Sequence, residues 1–290
     1  MKNIFSILFV FFMLSTILGA QDNKILCLYN NEGSEDDELI IDWGFSALVY
    51  YNDLLILFDA GASAEILEHN CDILGVDLQD VDIAILSHNH RDHITGFNYL
   101  LEINPNIKIY LPDDSDLGGA ASRDKEAWNS KYRVGYRFQN ADITFVKKIV
   151  QIVPGVVLIP TVASSIGVYL KDPEDEQNTR FWGLPEVSLT IKSNNDKWIL
   201  IDGCSHSGVA EIVTETNNYL KTNVYGVIGG FHLGRFSKDQ LNEMSQKIKK
   251  ELKVRWVAPT HCTGDQAQLI FKELFEDDYK DFGVGSVINF

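Results

Sequence analysis

Residues 85–96 read Ile85-Leu86-Ser87-His88-Asn89-His90-Arg91-Asp92-His93-Ile94-Thr95-Gly96. Residues 81–86 have the length and the Val, Ile and Leu content of a buried strand, so the histidines follow the point where that strand leaves the core. In α/β proteins the ends of strands are where ligands bind. His88 and His90 are two residues apart, so an extended backbone directs both rings to the same side. The stretch therefore predicts a strand, a metal-binding loop and a helix in succession.

The spacing within this cluster indicates two adjacent metal ions rather than one. Asp92 and His93 fall in the turn into the following helix and point to a position beside the one that His88 and His90 face. Neutral imidazole and carboxylate groups suit zinc, and iron or manganese are also compatible with them. The alternative interpretation is a polar loop whose histidines are incidental.

Two ions need more ligands than this loop supplies, and histidines that follow later strands can supply them. The resulting assignment has three ligands for each ion: His88, His90 and His206 for the first, and Asp92, His93 and His261 for the second. A hydroxide bridging the ions would form at neutral pH, because metal binding lowers the pKa of water toward about 7. Cys204 is a further candidate ligand because zinc accepts sulfur, and the alternative is a small buried residue in a tight turn.

Three other polar residues at predicted strand ends are candidates for supporting roles. Asp59 and Asp202 are expected to orient a ligand histidine rather than to bind metal. His232 has no place among six ligands. It is a candidate substrate ligand or general acid, and the alternative is a hydrogen-bonded structural histidine. The candidate catalytic residues are therefore Asp92 and His232.

Apolar periodicity predicts strands that alternate with helices, which argues for an α/β fold built in layers. The predicted strands are residues 24–29, 45–51, 54–58, 81–86, 107–111, 187–191, 198–201, 224–228 and 254–258. The predicted helices are residues 64–74, 95–103, 209–220 and 238–252. Residues 112–140 predict a surface insertion whose aromatic side chains pack on a substrate or form a small satellite core: Trp128, Tyr132, Tyr136 and Phe138. Residues 172–182 predict a second, polar loop.

The N-terminus predicts export. Residues 1–20 combine Lys2, an apolar run over residues 4–18 and the small residues Gly19 and Ala20, which is the pattern of a secretory signal peptide cleaved after Ala20. Residues 21–290 are then the folded domain, and the periplasm or the cell exterior is its expected location. No other stretch approaches the roughly twenty apolar residues of a membrane span.

The net charge limits the classes of partner that are expected, and the cysteine count limits the number of disulfides. A formal net charge of −16 argues against nucleic acid as a partner, because affinity for phosphate backbones depends on Lys and Arg replacing counterions. A small molecule is the expected substrate, and the sequence leaves the oligomeric state open. Four cysteines are too few for a disulfide scaffold, and Cys27 with Cys71 is the pair to test first for a single bridge.

The motif His88-Asn89-His90-Arg91-Asp92-His93 resembles the HxHxDH signature of the metallo-β-lactamase superfamily, and the resemblance runs over roughly residues 24–290. It implies a four-layer αββα sandwich with a dinuclear metal site at one edge. Residues 203–206, 229–233 and 259–264 look like the branch named for 7,8-dihydropterin-6-methyl-4-(β-D-ribofuranosyl)-aminobenzene-5′-phosphate synthase. In that comparison Cys204 stands where the superfamily often carries a bridging aspartate.

Three functions are compatible with these residues. The first is an exported dinuclear metallohydrolase, in which a metal-bridged hydroxide attacks an ester-like or phosphoester-like bond. The second is the pterin and ribose-phosphate condensation for which the branch is named. The third is a metal-containing ligand-binding protein without turnover. Three observations distinguish them. Turnover of generic phosphodiesters and lactones supports the hydrolase, and activity only with pterin and ribose-phosphate compounds supports the condensation. Tight ligand retention without product supports the binding protein.

Overall fold

The computed structural model describes residues 23–33, 38–113, 141–171 and 179–290. Several predicted features lie outside these ranges. They are the signal peptide of residues 1–20, most of the insertion of residues 112–140 with its four aromatic side chains, and residues 172–178 of the second polar loop.

The strands lie in two mixed sheets. In chain order they are β1 Lys24–Asn30, β2 Phe45–Tyr51, β3 Leu54–Phe58, β4 Ile83–Ile85, β5 Lys108–Pro112, β6 Asp142–Val146, β7 Val150–Val153, β8 Val156–Lys171, β9 Thr179–Lys192, β10 Trp198–Asp202, β11 Val224–Gly230, β12 Trp256–Thr260 and β13 Val287–Asn289. The first sheet has the order β13-β1-β2-β3-β4-β5-β6, and the second has the order β12-β11-β10-β9-β8-β7. Strands β3 to β6 are parallel in the first sheet, as are β10 to β12 in the second.

Helices cover the outer face of each sheet. They are α1 Ala64–Leu74, α2 Arg91–Ile94, α3 Phe97–Ile103, α4 Val209–Leu220, α5 Lys238–Gln246 and α6 Asp265–Phe275. One apolar cluster fills the space between the sheets, a second joins the first sheet to α1 and α3, and a third joins the second sheet to α4, α5 and α6. This arrangement is the predicted αββα sandwich, and the predicted fold class is confirmed.

Local sequence signals explain several of these elements. In α1, the Ser63 side chain accepts the backbone N–H of Ile66 at the N-terminus, and Gly75 takes a left-handed conformation at the C-terminus. The turn between β2 and β3 has only two residues, and Asn52 carries the positive φ that such a turn requires. The strands, helix and hairpin predicted over residues 45–74 are confirmed residue for residue.

Four predictions at the level of elements are wrong in part. The helix predicted over residues 95–103 begins only at Phe97, as α3, and a separate short helix, α2, spans Arg91–Ile94, so that Asp92 and His93 are already helical. The helix of residues 238–252 is α-helical only to Gln246 and continues as a π-helix over Lys247–Glu251. The described part of the second polar loop, residues 179–182, is the start of β9, because its backbone pairs with β8. Residue 112, the predicted start of the insertion, still belongs to β5.

Cys27 and Cys71 do not bridge. Both thiols are free and buried. Cys27 lies in the cluster between the sheets, whereas Cys71 lies in the cluster under α1 and α3, so the first sheet separates them. Of the residues that the structure describes, no helix is both long and apolar enough to cross a membrane.

Candidate metal centre

The predicted ligands meet at one edge of the sandwich. His88 and His90 follow β4, and Asp92 and His93 lie in α2. The loops after β10 and β12 bring in the two distant histidines, His206 and His261. Because the ends of parallel strands in both sheets reach the same edge, residues more than one hundred positions apart come within contact distance.

The first donor set is a triangle of imidazole nitrogens. His88 Nε2 lies 3.0 Å from His90 Nδ1, and His206 Nε2 lies 3.2 Å from each of them. One proton can bridge only one pair of these three nitrogens, so at least two lone pairs face each other and repel unless a cation lies between them. Zinc bound to nitrogen at about 2.0–2.1 Å in tetrahedral geometry separates its ligand atoms by roughly 3.4 Å. The triangle therefore fits a metal ion.

The second donor set combines a carboxylate with two imidazoles. Asp92 Oδ2 lies 3.4 Å from His261 Nε2 and 3.7 Å from His93 Nε2. His261 Nε2 is buried and makes no hydrogen bond among the described residues. A buried polar atom without a partner is costly, and a cation at this point would satisfy it. Both predicted ligand sets are thus brought together by the fold.

Cys204 lies between the two sets. Its Sγ is 3.2 Å from His93 Nε2, and it groups within 4.8 Å with donor atoms of His88 and His93 on one side and with those of His206 and His232 on another. Burial raises the pKa of this thiol in the absence of metal. A metal ion at this position would reverse that direction, because a coordinating thiol is deprotonated.

A single buried carboxylate sets the tautomer of one histidine in each donor set. Asp59 Oδ2 accepts hydrogen bonds from His93 Nδ1 at 2.7 Å and from Ser87 Oγ at 2.6 Å. Ser87 Oγ in turn lies 2.8 Å from His88 Nδ1 and accepts its proton. Both Nδ1 atoms are therefore protonated, which leaves the Nε2 lone pairs facing the metal positions. The orienting role predicted for Asp59 agrees with these contacts.

Asn31 sets the tautomer of His261, and no pattern in the sequence predicts this contact. Asn31 Oδ1 lies 2.8 Å from His261 Nδ1, and its Nδ2 donates to the His261 carbonyl at 3.2 Å. The first hydrogen bond orients the ring and places a proton on Nδ1, and the second ties the same amide to the His261 backbone, so Nε2 is free to bind a cation. The pair spans 230 positions of sequence, and Asn31 follows the predicted first strand without any local motif.

The loop that carries Cys204 and His206 is held by two buried carboxylates. Glu186, on β9, accepts the backbone N–H groups of His206 at 2.9 Å and of Ser207 at 2.6 Å. Asp202 accepts from Gly203 N at 3.0 Å and from Ser205 Oγ at 2.6 Å. The prediction that Asp202 orients a histidine ring is therefore wrong in its detail, because this carboxylate binds the loop itself.

Burial sets the charge state of the first donor set. It lowers the pKa of His88 and His90, and neighbouring imidazoles lower both further. Burial, with His232 and His90 nearby, also lowers the pKa of His206 to about 3. His93 differs, because the Asp59 carboxylate outweighs the effect of burial and raises its pKa. His88, His90 and His206 are therefore neutral at neutral pH and can bind a cation without first losing a proton.

His232 lies beside the first donor set. Its ring centroid is 4.4 Å from that of His206, and a hydrogen bond with the Cys262 thiol raises its pKa. Its Nδ1 is buried and has no partner among the described residues. His232 therefore lies beside the first donor set, in contact with His206 and next to Cys262.

Trp43 makes a second contact with the candidate metal ligands that was not predicted from the sequence. It lies in the loop before β2, and its Nε1 donates to Asp92 Oδ2 at 2.8 Å. The indole centroid is 4.9 Å from the His261 ring, and 53% of the residue is exposed. A tryptophan in a loop of mixed polarity carries no sequence signal for such a contact.

The fold and the converging donor groups define the class: a protein with histidine-rich candidate metal sites at the edge of an αββα sandwich. A family model described as the metallo-β-lactamase superfamily matches residues 44–180. An uncharacterised protein of Methanocaldococcus jannaschii is 30% identical over 236 residues, which cover 77% of this chain and 85% of the relative. The chain belongs to the metallo-β-lactamase superfamily.

Two further similarities refine this placement. The 7,8-dihydropterin-6-methyl-4-(β-D-ribofuranosyl)-aminobenzene-5′-phosphate synthase of the same organism is 28% identical over 265 residues, covering 81% of this chain and 84% of the relative. The crystal structure of Tm1679, a metal-dependent hydrolase of the β-lactamase superfamily, superposes with a TM-score of 0.73 at 24% identity over 92% of this chain and 99% of that one. The chain therefore shares its fold with that metal-dependent hydrolase.

Proposed function

We propose that this chain is an exported hydrolase that uses two divalent metal ions, with zinc as the first choice, to cleave an ester-like or phosphoester-like bond in a small molecule. The observation that carries the proposal is the triangle of His88, His90 and His206 nitrogens, 3.0–3.2 Å apart. A second donor set of Asp92, His93 and His261 lies beside it, with Cys204 between the two. The export part rests on the signal-peptide pattern of residues 1–20.

The donor atoms favour zinc. Imidazole nitrogen and thiolate sulfur are soft or borderline ligands that suit zinc better than manganese or magnesium. When bound, the ions would supply a nucleophile at neutral pH and would polarise the bond to be cleaved. The network of Asp59 and Ser87 keeps the Nε2 atoms of His88 and His93 unprotonated for this purpose.

His232 is the residue proposed to supply the leaving group with a proton. Its Nδ1 has no partner among the described residues, and the neighbouring Cys262 raises its pKa. A histidine that is protonated in a larger fraction of molecules near neutral pH is a more effective general acid there. His232→Gln should therefore lower kcat and remove the alkaline fall of the pH profile, while metal content stays the same.

A second candidate is a condensation of the kind named for the 28% identical synthase. The same metal ligands could orient a phosphate ester for that reaction. The two functions differ in their substrates: a hydrolase turns over generic phosphodiesters or lactones, and the synthase-type activity needs pterin and ribose-phosphate compounds.

Metal analysis followed by a substrate panel tests the proposal. The purified chain should contain about two metal ions, and hydrolysis of at least one ester or phosphoester class should disappear with a chelator and return with zinc. His206→Ala should lose at least one ion and all activity. The matched control is His69→Ala, because His69 is a half-buried histidine on α1 whose contact is the Glu38 carbonyl. A content near one ion that His206→Ala leaves unchanged would contradict the two-ion assignment.

A further inference from the structure

Trp43 stands out among the exposed apolar side chains because it lies at the metal centre. It is 53% exposed, and its neighbours Ile40 and Ile41 are 39% and 43% exposed. Its ring centroid is 4.9 Å from the His261 ring, with an angle of 48° between the planes. A large apolar surface left open at this distance from a candidate metal ligand is more than scattered surface hydrophobicity.

The indole is anchored at its polar atom. Trp43 Nε1 donates to the carboxylate oxygen Asp92 Oδ2 at 2.8 Å. A hydrogen bond to an ionised acceptor is about twice as strong as a neutral one. The ring is thereby held in one orientation, so a ligand that contacts it has little ordering cost.

A role confined to supporting Asp92 does not account for the exposed ring. Such a role needs only the N–H group. Here the N–H is engaged while half of the side chain remains in solvent. Flat aromatic faces of this kind bind planar rings by offset stacking.

We infer that Trp43 is a subsite for a planar aromatic ring of the substrate, next to the group that reaches the metal ions. This inference rests on the proposed function, because it assigns the substrate class of the same site: anionic esters or phosphoesters that carry an aromatic ring. The indole contacts the ring, and its Nε1 positions Asp92.

Binding of two non-hydrolysable anions to the zinc-loaded protein tests the subsite. Phenylphosphonate and methylphosphonate share the oxyanion and differ in the ring. Calorimetry should show that the wild type binds phenylphosphonate about tenfold more tightly. Trp43→Ala should reduce the ratio to near one with little effect on methylphosphonate, measured at zinc concentrations that restore full metal content. Trp43→Phe retains a ring without the N–H, so it should keep most of the preference and weaken zinc binding.

Tyr219→Ala is the matched control, since Tyr219 is a 43% exposed aromatic residue on α4, and it should keep the wild-type ratio. A wild type that binds both phosphonates equally, or neither, would overturn the inference, as would a preference that survives in Trp43→Ala. Failure of the hydrolase panel with the phenyl preference intact would remove the proposed function and leave the subsite standing. Turnover without the preference would do the reverse.

Discussion

Asp59 links the two donor sets through its hydrogen bonds. Its Oδ2 accepts hydrogen bonds from His93 Nδ1 and from the Ser87 hydroxyl, and Ser87 Oγ in turn accepts one from His88 Nδ1. The carboxylate is fully buried, and its Oδ1 accepts Ser87 N at 2.7 Å. The packing around it is tight enough that a Cβ on Gly203 would lie 2.2 Å from Ser87 Oγ and 2.9 Å from Asp59 Oδ2. One side chain therefore fixes a ligand in each set.

Asp59→Asn should weaken metal binding at both positions. The amide can present its N–H₂ group where the carboxylate accepted a proton, so the tautomers of His88 and His93 are no longer imposed. Loss of such a partner typically costs 10–100-fold in metal affinity. Competition with a chromophoric chelator measures both affinities. The control is Asp196→Asn at an exposed turn, and a loss confined to one ion would contradict the shared role.

The low pKa of His206 predicts acid sensitivity of the metal-free protein. Its folded pKa of about 3 lies below the unfolded value near 6.5, so the unfolded chain binds the extra proton and stability falls as pH drops below 6.5. At pH 5 this one group costs about 2 kcal/mol relative to pH 7. His93 acts in the opposite direction, because its pKa is raised. Urea unfolding of chelated wild type and His206→Asn should show a smaller loss between pH 7 and pH 5 in the variant, and equal losses would exclude the effect.

At the scale of elements, the centre depends on contacts between the two sheets. The backbone N–H of Val187, on β9, donates to the Ser87 carbonyl that follows β4 at 2.7 Å. Next to Val187, Glu186 holds the backbone of the His206 loop. Strand β9 thus fixes the distance between the loop of the first sheet and the loop of the second. The distances between His88, His90 and His206 therefore depend on the position of this strand.

Glu186→Gln should disturb the first donor set more than the second. The carboxylate accepts two backbone N–H groups, and the amide can accept only with its oxygen, which leaves one buried N–H unpaired. Such a loss costs about 1–3 kcal/mol of unfolding free energy. Denaturant unfolding should show it, and cobalt titration should show weaker binding at one position. Glu243→Gln, on the exposed face of α5, is the control. Equal weakening of both positions would argue against a loop-specific effect.

At the scale of the whole molecule, the sequence predicts those features that depend on local periodicity and short motifs. The layers, the hairpin at Asn52 and the cluster from His88 to His93 follow from apolar alternation and short motifs, and each is found. Contacts made by distant residues are not predictable in this way. Asn31 reaches His261 across 230 positions, and Trp43 reaches Asp92 across 49, because strand order brings them together. Residues 187–191 of β9 were predicted as a strand, but β8 and the first half of β9 were not, because their pairing with each other defines them.

Metal binding should also stabilise the sandwich as a whole, because its ligands come from both sheets. The cluster of His88 to His93 belongs to the first sheet, and His206 and His261 belong to the second. A ligand that binds only the folded state adds about 2.7 kcal/mol at one hundred times its Kd. For a domain of this size that corresponds to a rise in Tm of roughly 5–10 °C. Thermal unfolding with zinc should show this rise, and it should vanish in the double variant His206→Ala, His261→Ala. An undiminished rise in that variant would place the bound metal elsewhere.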